Sequence, residues 1–437
     1  MALTGRTALV AALGALLVGL LLPGWAGLLA VELPLLLAVA VDLLRAAPVR
    51  TLRFARSGDT SVRLGERASV RLVVTNPSRR PLRGVLRDAW PPSCTPLENG
   101  RRVAVRHVLD VPAGERARLV TAFPATRRGD QHADRITVRS LGPLGLAARQ
   151  GSHRVPWTVR VLPRFDSRKH LPAKLARLRE LDGRTTVLTR GEGTEFDSLR
   201  EYVPGDDTRS IDWRATARQA NVAVRTWRPE RDRHVLVVLD TGRTAAGRVG
   251  DAPRLDTSMD AALLLTAVAS RAGDRTDLLA YDRRIRTTVR GRTARDVLPS
   301  FVEAMAGLEA ELTESDARGM VAAAQRLARR RSLVVLLTGL DASPVEEGLL
   351  PVLPQLCRRH TVLVASVADP RIEDMARSRG SVDAVYAAAA AARTQEERHA
   401  TAARLRRQGV MVVDATPEDL APQLTDAYLS LKRAGRL

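Results

Sequence analysis

Cysteine is nearly absent: Cys94 and Cys357 are the only two in 437 residues, and they lie in different predicted domains. That scarcity excludes a disulfide framework and a cysteine-built metal centre, and it is compatible with a reducing compartment. Aromatic residues make up only 3% of the chain, and none interleaves the basic runs. Proteins that grip single-stranded nucleic acid stack its bases on such rings, so nucleic acid is not expected as a partner. Lysine is confined to Lys169, Lys174 and Lys432, so the formal charge of +21 is carried almost wholly by arginine. Catalytic signatures are missing too. There is no Gly-x-Ser-x-Gly elbow, no Walker A loop and no Ser-x-x-Lys pair. The seven histidines, at 107, 132, 153, 170, 234, 360 and 399, never fall at the spacing that puts two of them on one helix face. No catalytic residue and no small-molecule substrate is evident.

What the chain does have begins at its start. From Thr7 to Val31 there is no charge, and up to Leu44 only Glu32 and Asp42 interrupt the apolar run. Pro23-Gly24-Trp25 divides it, and Pro-Gly marks a turn. The pattern predicts a transmembrane helical hairpin over 1–45, with helices at about 7–22 and 26–44, each near the lower limit for a hydrocarbon layer of roughly 30 Å. Glu32, beside Pro34, is expected against the partner helix or near the interface. Arg6 precedes the run and Arg45, Arg50, Arg53 and Arg56 follow it, so the positive-inside rule places both ends and the soluble domains in the cytoplasm. Two other readings stay open. One is a signal peptide with Ala38-Val39-Ala40 as its cleavage site, although the apolar stretch is much longer than such peptides need. The other is a single span that exports the rest.

Residues 45–167 carry +15 of the net charge. This follows directly on the apolar start, which suggests a domain lying against anionic head groups of the lipid bilayer. Short alternating runs at 69–74, 102–108, 116–121, 135–138 and 158–161, separated by turn clusters, predict an all-β, immunoglobulin-like sandwich over 46–165. A linker helix is expected next, with Leu171, Leu175, Leu178 and Leu181 on one stripe, inside a linker and motif segment spanning 166–230. From 231 to 437 strong apolar runs (235–239, 278–281, 333–337, 361–367, 410–413) alternate with helical stretches near 259–272, 294–308, 317–330 and 384–408. That alternation predicts a doubly wound α/β domain with a parallel sheet, whose ligands bind beyond the carboxyl ends of the strands.

The most distinctive stretch, 191–231, reads GEGTEFDSLREYVPGDDTRSIDWRATARQANVAVRTWRPER. On its physics alone, Pro204-Gly205-Asp206-Asp207 is a turn, Asp207 is placed to cap a following helical turn, and the dense opposite charges can form an ion-pair lattice. Glu195, Phe196, Leu199, Arg200, Glu201, Tyr202, Pro204, Gly205, Asp206, Asp207, Arg209, Ile211, Asp212, Trp213, Thr216, Ala217 and Arg218 match the motif of the bacterial family called domain of unknown function 58. Upstream, Arg127-Arg128-Gly129, Gly142-Pro143-Leu144-Gly145-Leu146 and Val161-Leu162-Pro163-Arg164 extend the resemblance over most of the chain. The resemblance implies a C-terminal part similar to a von Willebrand factor A domain, able to bind a divalent cation at its sheet edge. It also implies a partner, a MoxR-type AAA+ ATPase, and an adaptor role.

A hard cation at such an edge wants oxygen ligands in octahedral array, supplied by Asp-x-Ser-x-Ser after the first strand. Here the chain reads Asp240-Thr241-Gly242-Arg243-Thr244, so one hydroxyl is missing and an arginine intrudes. After the strand at 333–337, Thr338 and Asp341 offer further oxygens, with the acid displaced by two positions. Asp240, Thr244, Thr338 and Asp341 are therefore degenerate candidates, and no cofactor is expected. The combined expectation is a membrane-anchored, non-catalytic adaptor that binds its partner through the sheet edge and the 195–218 segment. A divalent-metal-dependent hydrolase at the same edge and an exported binding protein are the alternatives.

Overall fold

The computed structural model describes the chain except for residues 22, 96, 99–100, 103–104, 189–194, 205, 219–220, 229–232 and 292–294. It divides into two compact units, Met1–Leu162 and Pro163–Leu437.

The first unit opens with two apolar helices, α1 (Gly5–Leu21) and α2 (Trp25–Arg45). Leucine, alanine and valine make helices when nothing polar competes for the backbone, and the turn signal at Pro23-Gly24 separates the two. They pack against each other, with Gly14 on α1 meeting the Val31 side chain of α2. Their outer faces are bare, with Leu9, Leu13, Leu16, Leu29, Leu33 and Leu37 exposed. One continuous stretch, Trp25–Thr51, is long and apolar enough to cross a bilayer. At 17 residues α1 is shorter, about 25 Å at 1.5 Å per residue. Glu32 is exposed on α2.

Seven main strands follow: β1 (Arg53–Gly58), β2 (Arg67–Thr75), β3 (Leu82–Asp88), β4 (Arg106–Val111), β5 (Arg116–Pro124), β6 (Gly129–Leu141) and β7 (Ala147–Leu162). One sheet runs β7-β6-β3-β4, with Ala2–Leu3 paired to β7 and Ser61–Arg63 joined to it in parallel. The other runs β1-β2-β5. Alternation sorts the faces: along β2, Ala68, Val70, Leu72 and Val74 are buried while Arg67, Ser69 and Arg71 are exposed. The inward residues of both sheets, including Leu72, Leu86, Leu109 and Ile136, form one core. Arg56 of one sheet and Asp88 of the other meet in a buried ion pair at 2.5 Å. The strand expected over 102–108 is broken, since a short strand ends at Arg102 and β4 starts at Arg106, with 103–104 outside the described residues.

The second unit begins with α3 (Leu171–Leu188), of whose expected stripe Leu178 is buried and Leu171, Leu175 and Leu181 half-buried. Next come β8 (Glu195–Glu201) and β9 (Ala223–Arg228), an antiparallel pair. A larger sheet is built from β10 (His234–Asp240), β11 (Arg275–Tyr281), β12 (Ile285–Arg290), β13 (Leu333–Leu337), β14 (Thr361–Val367) and β15 (Met411–Ala415). Its order is β12-β11-β10-β13-β14-β15, parallel throughout except for the antiparallel edge strand β12. Its helices are α4 (Arg254–Arg271), α5 (Val297–Ala306), α6 (Ala317–Leu327), α7 (Leu353–Cys357), α8 (Val382–Arg407) and α9 (Leu420–Arg433). Leu236, Val238, Val334, Leu336 and Val364 share a core with α6, α7 and α8. The side chains of opposite parity, Val235, Val237 and Leu239, are also fully buried, and α4 packs on β10 and β11. Burial on both sides explains the near-continuous apolar strands. Helix α4 starts five residues before the expected 259, because Pro253 supplies a preset helix entry.

Candidate functional site

Two places collect the residues singled out by sequence. The first is the motif segment. Its acidic side chains mostly hold backbone amides. Asp207 accepts from Arg209 N at 3.0 Å and so caps the turn Thr208–Ser210, as expected. Asp206 accepts from Val203 N at 3.0 Å and from the Arg200 guanidinium at 2.5 Å, closing the Pro204 turn. Asp212 caps the helical turn Trp213–Thr216 through Arg214 N and Ala215 N, both at 3.0 Å, and pairs with Arg225 of β9 at 2.7 Å. These amide bonds, Ala215 N first and then the Arg225 guanidinium, hold the Asp212 carboxyl below the usual carboxylate range. Tyr202 N donates to Val222 O and Asp212 N to Ala223 O, stitching the segment to β9. Among the described residues the expected lattice includes the local pairs Arg200–Asp206 and Arg225–Asp212, on a capped scaffold.

That scaffold presents a face. Trp213 is 69% exposed and Val203 55% exposed, with Leu199 and Val222 also open. Glu201, Pro204, Asp207, Arg209 and Arg218 of the same segment are exposed, and Tyr202 is half-buried. Glu195 and Phe196 lie on β8, whose backbone pairs them with Arg228 and Trp227. Gly205 lies outside the described residues, as does Gly191-Glu192-Gly193.

The second place is the carboxyl edge of the large sheet. Asp240 ends β10 and is 5% exposed. Its Oδ1 accepts from Gly242 N at 2.9 Å and from Ser315 Oγ at 2.5 Å. Its Oδ2 accepts from Thr338 Oγ1 at 2.6 Å and Thr244 Oγ1 at 3.1 Å. Asp240, Thr244 and Thr338 are therefore brought together, and Ser315 joins them unannounced by any sequence pattern. A Cβ on Gly242 would overlap the Ser315 hydroxyl, so the glycine that removes one hydroxyl makes room for another from a distant loop. Asp341 is not part of this cluster. It binds Arg254 Nη1 at 3.1 Å, and that guanidinium nitrogen lies beside Gly339. Arg254 was also invisible to motif reasoning.

Next along the edge, Thr241 Oγ1 donates to Asp282 at 3.2 Å. Burial pushes the Asp282 carboxyl up, but the Arg286 guanidinium and the amides of Arg283 and Arg284 outweigh it and hold the group low. A hard dication needs carboxylate and hydroxyl oxygens free to face it. Here both oxygens of Asp240 already accept hydrogen bonds, and Asp282 and Asp341 are each paired with an arginine. The hydrogen bonds to Asp240 make a knot that ties a strand end to three loops. Among the described residues no group of three His, Cys, Asp or Glu side chains is placed to share a metal.

Residues 198–413 match the model of the family described as protein of unknown function DUF58. That segment is a DUF58 region. It includes the end of the motif strand, the exposed Trp213 face and all but the last two residues of the sheet. Uncharacterised proteins of Mycobacterium bovis and of Mycobacterium tuberculosis are each 28% identical to the chain over 198 residues. The match takes in 44% of this chain and 60% of theirs. Among solved structures, proximal thread matrix protein 1 of the mussel byssus aligns at a TM-score of 0.29 with 11% identity, covering 46% of this chain and 47% of its own. A CARDB domain from Pyrococcus furiosus, solved with two metal ions, aligns at 0.19 with 15% identity over 25% of this chain and 91% of its own. Likenesses that slight carry no conclusion about this chain.

Proposed function

We propose that this DUF58 protein is a membrane-anchored, non-catalytic adaptor that binds a protein partner through its motif segment and sheet edge. The observation that carries the reading is the exposed Trp213, 69% accessible, in the segment of strongest family resemblance. Large aromatic side chains cost more to leave in water than most, and they anchor protein interfaces together with arginine. Arg209 and Arg218 are exposed in the same segment. In this reading α1 and α2 both enter the bilayer and leave the soluble parts in the cytoplasm. The first unit is an immunoglobulin-like sandwich, and the second carries a von Willebrand factor A-like domain. The partner that the resemblance suggests is a MoxR-type AAA+ ATPase.

The competing hydrolase reading needs a cation at Asp240, where four donors already use the carboxylate and Arg254 stands close by. Co-purification from native membranes tests the adaptor reading. The Trp213→Ala, Arg209→Ala double variant is expected to lose a partner that the wild type retains. Identical partner sets would remove the motif face as the docking site. A reporter fused after Leu437 that is active only outside the cytoplasm would overturn the topology.

A further inference from the structure

We infer that the base of the helical hairpin is a collar for anionic phospholipid head groups. The inference rests on the membrane reading of α1 and α2. The loop joining β6 to β7, Gly142-Pro143-Leu144-Gly145-Leu146, is gripped from both helices. Asp42, in the last turn of α2, is fully buried, and its carboxylate accepts from Leu144 N at 2.7 Å, Leu146 N at 2.6 Å and Ala147 N at 3.0 Å. A side chain on Gly142 would collide with it. At the start of the other helix, Thr7 Oγ1 donates to Leu146 O, and Thr4 Oγ1, one residue before α1, donates to Gly145 O at 2.7 Å. Arg149 Nε reaches Leu43 O at 2.7 Å and Arg80 binds Leu44 O, so arginines also close the open carbonyl end of α2.

This clamp has an electrostatic consequence. The one acid in the last turn of α2 is turned inward onto backbone amides, while Arg6, Arg45, Arg79 and Arg80 stay exposed around the helix ends. Arg6 lies against Gly145, and Asn76 ties the Arg80 turn to Pro112. Glu115 is the exposed acid of that neighbouring turn. Beyond the collar the helices present apolar side chains such as Leu9 and Leu37, with the exposed Glu32 as the one acid among them on α2, and so much bare apolar surface suits lipid. Guanidinium groups at that level meet phosphates, which they bind in forked pairs.

The test uses the purified full-length chain in detergent, with thermal unfolding followed as lipid is added. Dioleoyl phosphatidylglycerol is expected to raise the midpoint more than dioleoyl phosphatidylcholine. Inorganic phosphate at the same concentration is expected to leave it unchanged, which separates a lipid head group from free phosphate. The Arg6→Gln, Arg45→Gln, Arg79→Gln variant should weaken the phosphatidylglycerol response by about fivefold for each arginine removed. Should the variant fail to fold, the wild type in about 0.5 M salt must lose the same preference by screening. Equal responses to the two lipids, or a preference untouched by both variant and salt, would overturn the collar. Release of the chain from membranes by alkaline carbonate would instead remove the membrane reading, and this inference with it.

Discussion

Asp42 in the first unit and Asp240 in the second are both buried carboxylates at the end of a regular element, yet they are satisfied by different chemistry. Asp42 accepts three backbone N–H groups, whereas Asp240 accepts one amide and three hydroxyls. A backbone amide cannot turn away from its acceptor once the loop is folded. A hydroxyl can rotate and either donate or accept. The first arrangement is therefore a rigid clamp, and the second is a knot that tolerates rearrangement. The contrast separates an acid that fixes one helix to a loop from an acid that gathers several loops.

Removing the clamp should have the largest effect. Asp42→Ala leaves three amides without their acceptor, that of Ala147 buried and those of Leu144 and Leu146 part-buried, so a loss of about 3 kcal/mol is expected in thermal unfolding of the full chain. A smaller loss than for Asp240→Ala would reverse the comparison. Asp240→Ala should cost about 2 kcal/mol, because Thr244, Ser315 and Thr338 can swing toward other acceptors. The knot is sharpened by Gly242→Ser, which should destabilise by about 1–3 kcal/mol through overlap with Ser315 and be partly rescued by Ser315→Gly.

A third acid extends the series. Asp260 on α4 accepts from Ser167 N at 3.2 Å, and burial raises its carboxyl to about 6. The folded chain then holds that proton to higher pH than the unfolded chain does. Stability present at low pH is lost as pH rises from about 4 through about 6. Asp260→Asn should flatten that slope and stabilise the protein above pH 6 by about 2 kcal/mol, read from unfolding midpoints across a pH series. The smallest effect belongs to Trp213→Ala, which should move stability by no more than about 0.5 kcal/mol because the ring is largely in water. A large destabilisation there would make Trp213 a packing residue and leave the docking face without its anchor.

The apolar start, the strand-and-helix alternation after residue 231 and the cap at Asp207 were all legible from residue pattern, whereas the cap at Asp212 was not foreseen. Each depends on neighbours a few positions apart, where period and side-chain chemistry determine local geometry. Boundaries were less legible, as with α4 and the broken strand before β4. Ser315, Arg254 and the turning of Asp42 onto the 142–147 loop were not legible at all, since they join residues about 75 to 105 positions apart.

By itself, then, the order of residues determined which segments are greasy, which alternate and which carry turns, because those properties act over one or two turns of backbone. Only the tertiary structure decided which buried acid meets amides and which meets hydroxyls, and that an arginine stands beside the sheet edge. Those outcomes depend on how loops distant in sequence pack together, and burial then obliges every enclosed charge to find its partners there.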